Sequence, residues 1–157
     1  MAMERELNAL QKNDTWVLTT LPPGKKALSS KWVYKTKYKA DGSIERHKAR
    51  LVIRGFAQVK DKDYKHTFSP IAKITTVRVL IGLAAAMNWD LHQLDINNAF
   101  LHGFLEEEVY MLPPEGYFHA QPGQVCKLQR SLYGLKQASR QWNLELSKFL
   151  VNKGYNQ

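Results

Sequence analysis

Three features of the sequence predict an α+β fold, an antiparallel β-hairpin plus packed helices. Residues 31–54 alternate side-chain character with period two around the turn Ala40-Asp41-Gly42-Ser43, the pattern of a hairpin. Apolar residues recur with helical period from Thr76 and again from Trp142. A length of 157 residues with 44% apolar and 11% aromatic content is enough for one domain with its own core, and no apolar run approaches the ~20 residues that span a bilayer.

Taken in order, Met3, Leu7 and Leu10 predict an amphipathic helix over 3–12, a strap that ends near Asn13. Thr15 to Thr19 reads as a strand, broken by Pro22-Pro23-Gly24. In the hairpin, Trp32, Tyr34, Thr36 and Tyr38 share one face and Lys31, Lys35, Lys37 and Lys39 the other, because successive strand side chains alternate. On the returning strand Arg46, Lys48, Arg50 and Arg54 fall together, opposite His47, Ala49, Leu51 and Ile53. The ribbon therefore has one packed and one basic face. A polar loop follows to about Pro70. Val77, Leu80, Ile81, Ala84 and Ala85 then mark a core helix with Thr75 or Thr76 as N-cap.

That helix leads into Trp89, Leu91 and Leu94, which suit a strand delivering Asp95 to its end. An Asp before Asn97-Asn98 is also a common solvated turn residue, so the local pattern leaves both readings open. Asn97 and Asn98 suit a turn or N-cap, and Ala99, Phe100 and Leu101 restart an apolar element. Glu106, Glu107 and Glu108 read as solvated. Short strands are expected at Val109 to Met111 and Val125 to Leu128, and the SLYGLKQ turn enters a helix whose apolar face is Trp142, Leu146, Phe149 and Leu150. Gly154 breaks it.

Charge and motifs narrow the function. The net charge is +9, and residues 1–80 hold 17 Lys and Arg against 7 Asp and Glu, while residues 81–157 hold 6 against 7. Such asymmetry predicts a polyanion partner for the first half, although a lysine-rich edge hairpin also serves simply to discourage aggregation. A single cysteine, Cys126, excludes an internal disulfide, and the charged start MAMERELNAL is unlike a secretory signal. The five histidines lack zinc-site spacing, and no phosphate loop or nucleophile elbow occurs.

Five stretches together resemble one family, the reverse transcriptases of copia-type LTR retrotransposons: NDTWVLTTLPPGKK, SSKWVYKTKYKADGSIERHKARLVIRGFAQ, DYKHTFSPIAK, WDLHQLDINNAFLHGFLEEEVYMLPPEGY and VCKLQRSLYGLKQASRQW. The resemblance implies part of a right-hand polymerase: residues 1–14 a helical strap, 15–88 a fingers-like region with the basic hairpin 31–54, and 89–157 a partial palm. It implies that Asp95 is the catalytic carboxylate and, with the Ile96 backbone carbonyl, a ligand of Mg2+, since two-ion nucleotidyl transfer needs hard oxygen ligands around ions about 4 Å apart. Lys48, Arg50, Asn98, Ala99, Phe100, Tyr133, Gly134, Lys136 and Gln137 are the implied nucleotide-binding residues, with the N–H groups of Asn98 and Ala99 facing triphosphate oxygens and Phe100 under the sugar. Phe100 would otherwise be ordinary core packing. Lys31, Lys35, Lys37, Lys39, Arg46 and Arg54 are the implied nucleic-acid contacts.

The implied partners are an RNA template, a DNA primer, dNTP and the remainder of a polyprotein, with no membrane. The implied setting is the cytoplasm, virus-like particles or the nucleus. His66 stands where the family commonly has Glu, and Ser139 where many members have Pro. The family's Tyr-hydrophobic-Asp-Asp turn has no counterpart, so the chain is expected to be a polymerase front part, inactive alone. Rival readings are a non-catalytic nucleic-acid-binding module and a translated remnant without a stable fold.

Overall fold

The computed structural model of the protein describes residues 1–156. Strong helix formers fill α1, Ala2–Lys12, whose Leu7 and Leu10 are buried. The helix ends at Asn13, whose side-chain amide donates to Ala9 O at 2.8 Å. Asp14 then turns the chain in the left-handed region (φ 47°), and the buried Thr15 hydroxyl donates to Leu10 O at 2.7 Å. The strap is thereby joined to β1, Trp16–Thr20.

After the short strand β2, Ala27–Leu28, the hairpin forms as the period-two pattern predicts, with β3 at Ser30–Tyr38 and β4 at Ile44–Ile53. Asp41 Oδ1 accepts from the Ser43 N–H (2.9 Å) and hydroxyl (2.6 Å), and these two bonds hold the Asp41 carboxyl below its usual range. The hairpin is a sheet of its own. A second sheet has the order β1-β6-β5-β2, with β5 at Tyr110–Met111 and β6 at Gln124–Leu128. Its β1–β6 and β5–β6 pairs are antiparallel and its β2–β5 pair parallel. Strands from both sides of residue 88 thus share one sheet.

The core lies between these sheets and α1. Leu10, Leu28, Leu51, Ile53, Leu101, Val109, Met111, Cys126, Leu128, Leu132, Leu135 and Ala138 form one buried cluster. Burial of each large aliphatic side chain contributes about 1.5–3 kcal/mol. The SLYGLKQ turn is fastened to the end of β4, because the Ile53 N–H donates to Tyr133 O at 2.8 Å. Only glycine fits at 134: its φ is +92°, and a Cβ there would collide with the Ile53 carbonyl oxygen. The turn leads into α3, Ala138–Asn152.

Several expectations from the sequence are corrected. Helix α2 does form, at Ile74–Ala86, but its N-cap is Lys73 without a side-chain cap bond, and of its residues only Ala84 is buried. Val79, Leu80 and Ile81 are 69%, 54% and 51% exposed, so among the described residues this is not a core helix: apart from Ala84, its apolar side is largely uncovered. Residues 89–96 are coil, and the strand expected to deliver Asp95 is not formed. A strand needs a ladder partner for its N–H and C=O groups, and the described residues provide none for this segment. In α3 the buried positions are Ala138 and Gln141, while Phe149 is 58% exposed, so the expected apolar face is covered only near its start. The packed face of the hairpin likewise ends early, with Tyr34 and Tyr38 exposed.

Candidate nucleotide and nucleic-acid interface

The ladder of β3 and β4 gathers six of the chain's basic side chains. Lys31 faces Val52, Val33 faces Arg50, Lys35 faces Lys48 and Lys37 faces Arg46. Directly opposed residues of an antiparallel pair share a face, so Lys31, Lys35, Lys37, Arg46, Lys48 and Arg50 stand on one side of the ribbon. Lys39 and Arg54 lie just beyond the ladder, Lys39 past a register shift between Lys37 and Tyr38, and Arg54 at the base, where its N–H donates to Ser29 O at 2.9 Å. Two like-charged pairs therefore oppose each other directly, an arrangement that repels unless an anion lies against it.

At the base of this face three implied nucleotide-binding residues converge from separate stretches. The Arg50 guanidinium lies 5.2 Å from the centre of the Tyr133 ring, and Tyr133 meets Phe100 edge to face with centroids 5.0 Å apart. Phe100 belongs to a 3-10 turn, Ala99–His102, preceded by Asn98 in the left-handed region. Gly103 after it packs so closely on α3 that a Cβ would lie 2.8 Å from Gln141 Cβ. Arg50 Nε is buried without a hydrogen-bond partner, a donor left unused by the protein. The backbone N–H groups of Asn98 and Ala99 also have no protein acceptor among the described residues.

Lys136 and Gln137 are placed differently. Gln137 is fully buried, and its carboxamide is occupied by Gln58 and the Asp63 carbonyl. The Lys136 ammonium reaches Gln58 O at 3.2 Å and lies 4.9 Å from the Tyr64 ring centre. Gly134 acts through its backbone at the β4 junction. Sequence reasoning missed Gln58, Asp63 and Tyr64, which carry no local signal in a polar loop, and it missed Glu6. Glu6 is half-buried on α1, which packs on β4. Burial raises its carboxyl above the usual range, against the attraction of Lys48 and Arg50 and the Leu51 N–H.

Asp95 and Ile96 are exposed in the coil, and Asp95 makes no ion pair or side-chain hydrogen bond among the described residues. No group of three or more His, Cys, Asp or Glu among the described residues could hold a metal ion. Glu108 is engaged by Lys127 (2.9 Å) and Lys25 (3.4 Å), whose hydrogen bonds lower its carboxyl below the usual range. One exposed carboxylate does not fit a two-ion Mg2+ centre, so these residues do not form one by themselves. The buried Cys126 thiol is pushed up to about 12 by desolvation, which makes it unreactive near neutral pH.

The profile of the family described as reverse transcriptase (RNA-dependent DNA polymerase) matches residues 13–157. The chain is 48% identical over 155 residues to the retrovirus-related Pol polyprotein from transposon TNT 1-94 of Nicotiana tabacum, covering 98% of the chain and 12% of that protein. This chain belongs to the reverse transcriptases of copia-type retrotransposons. It is also 45% identical over 98% of its length to the Pol polyprotein from transposon RE1 of Arabidopsis thaliana, of which it covers 11%. The Ty1-ER2 Gag-Pol polyprotein of Saccharomyces cerevisiae is 32% identical over 97% of the chain and 8% of the polyprotein. The reverse transcriptase chain thus spans about a tenth of the length of these curated relatives. No solved structure matches it. Reverse transcriptases are in general divalent-metal dependent. Among the described residues no helix is long and apolar enough to cross a membrane.

Proposed function

We propose that the chain supplies the fingers-like region, residues 15–88, and the front of the palm, residues 89–157, of the RNA-directed DNA polymerase of a retrotransposon polyprotein. The observation that carries this reading is the convergence of Arg50, Tyr133 and Phe100 at the base of the basic face. A cation beside an aromatic wall suits a nucleoside triphosphate, whose phosphates pair with guanidinium and ammonium groups and whose sugar packs on a ring. Lys48 and Arg50 stand on this one face of the ribbon, where phosphate oxygens would find cationic partners. The remaining cations of the ribbon then track the backbone of an RNA template and DNA primer.

Asp95 and the Ile96 carbonyl are this chain's contribution to a metal centre that these residues do not complete. Alone, the chain binds nucleotide and primed template and does not extend the primer. The test is ultraviolet cross-linking of a labelled dNTP in the presence of a primed RNA template, with primer extension in Mg2+ run beside it. Arg50→Ala is expected to weaken labelling about tenfold, the scale of one charge-assisted contact, and Phe100→Ala about tenfold through loss of the ring that packs on the sugar. Labelling indifferent to both substitutions would overturn the nucleotide site. Extension that Asp95→Ala abolishes would overturn the claim of inactivity.

The two opposed like-charged pairs of the ribbon also support a second reading, a non-catalytic nucleic-acid-binding module. It predicts hybrid binding without any preference for a matched dNTP.

A further inference from the structure

The geometry points to Gln58 as a positioning residue of the nucleotide site, whose carboxamide fixes the turn 133–137 and so sets the Tyr133 ring between Arg50 and Phe100; this rests on the nucleotide-site reading above. Gln58 follows the 3-10 turn Gly55–Ala57 at the end of β4 and is buried. Its Oε1 accepts the backbone N–H of Lys136 at 2.8 Å, and its Nε2 donates to Gln137 Oε1 at 3.0 Å. Gln137 Nε2 then donates to Asp63 O at 3.0 Å, and Asp63 Oδ2 accepts the Val59 N–H at 2.7 Å, which closes the loop on itself.

One backbone group dictates the orientation of both carboxamides. The Lys136 N–H is a donor only, so it must meet the Gln58 oxygen, which turns the Gln58 amino group toward Gln137. The Gln137 oxygen must face that amino group, and its own amino group is left for the Asp63 carbonyl. Flipping either side chain sets donor against donor or acceptor against acceptor in a buried site. The turn is consequently pinned at two ends, by the bond from Ile53 N–H to Tyr133 O and by Gln58 on Lys136 and Gln137. Between those pins lies Gly134, at a positive φ that few other residues tolerate. Tyr133 owes its place beside Arg50 and Phe100 to both pins. Lys136 and Gln137 act on the nucleotide through this latch, as its other half.

The test uses the full chain and the variants Gln58→Ala and Gln58→Glu, the second of which keeps the acceptor for Lys136 but loses the donor to Gln137. Amide hydrogen exchange is read first. In Gln58→Ala the Ile53 and Lys136 amides are expected to exchange about tenfold faster or more, and in Gln58→Glu, which keeps the Lys136 acceptor, the Ile53 amide alone, with the amides pairing β1 to β6 unchanged in both. Unchanged Ile53 and Lys136 amides in a folded variant would overturn the latch, and a uniform acceleration across both sheets would reduce Gln58 to general stability and overturn it as well. Labelled-dNTP cross-linking is read second, in the wild-type and Tyr133→Ala backgrounds. Gln58→Ala is expected to weaken labelling about fivefold in the first and to add nothing in the second, because coupled residues are not additive. An equal loss in both backgrounds would overturn action through Tyr133. Local loosening in a chain whose wild type takes no label would support the latch and overturn the nucleotide site, so the two failures are distinguishable.

Discussion

Replacing Lys35 and Lys48 together by glutamine should move stability and nucleic-acid binding in opposite directions. The two lysines are direct cross-strand neighbours on the basic face, and neither has an acidic partner within ion-pair distance among the described residues. Like charges directly opposed in a ladder cost about 0.2–1 kcal/mol, and the low end applies because Glu6 attracts Lys48. The variant should therefore be about as stable as the wild type or slightly more so. Each cation that neutralises a duplex phosphate contributes about 0.9 to the slope of log affinity against log salt, so losing two flattens the slope by up to ~1.8. From about 50 to 200 mM salt, the advantage of wild type over variant should shrink roughly twelvefold. Fluorescence anisotropy of a labelled RNA–DNA hybrid across that range measures the slope, and urea unfolding in the same buffers measures stability. An unchanged slope would refute the assignment of this face to the polyanion. A flattened slope with a clear loss of stability would refute the inference too, since it would trace the binding defect to unfolding.

Two other outcomes are expected. Gly134→Ala should destabilise the chain by about 3 kcal/mol, the cost of a strained left-handed residue pressed on the Ile53 carbonyl, measured by urea unfolding. Glu6→Gln should raise the thermal midpoint at pH 7, because burial holds the Glu6 carboxyl above its usual range and its charge is disfavoured in the folded state. The wild type regains that stability as the pH falls through the raised folded-state value toward the ordinary glutamate range, so the difference between the two proteins should close over that interval.

The hairpin was legible because its determinants are local. Side-chain alternation, an Asp-Gly turn and strands of adequate length specify both the register and the faces, and the ladder of Lys35 against Lys48 follows the reading directly. The strap was legible for the same reason, through Leu7 and Leu10. The second sheet was not. Its β2 and β5 are two residues each and pair in parallel across more than half the chain, a contact that no window of sequence contains. The candidate site divides in the same manner. Arg50, Phe100 and Tyr133 were each named from the sequence, but only the packing of the 3-10 turn and the SLYGLKQ turn against β4 brings their side chains together.

What the sequence determined by itself, then, is family and local form: the ordered motifs, the basic ribbon, the helices at Ile74–Ala86 and Ala138–Asn152, and Asp95 as the acid to watch. Tertiary structure alone decided what is covered. The apolar side of α2 was readable, yet its exposure was not, because burial is a property of two surfaces and the sequence pattern describes one. The coil at Asp95 has the same cause, since strand propensity becomes a strand only where a neighbour accepts its hydrogen bonds. Gln137 shows the converse. A polar residue that the motif assigned to nucleotide is buried against Gln58 and Asp63, and only the meeting of two distant loops could supply the partners that make such burial stable.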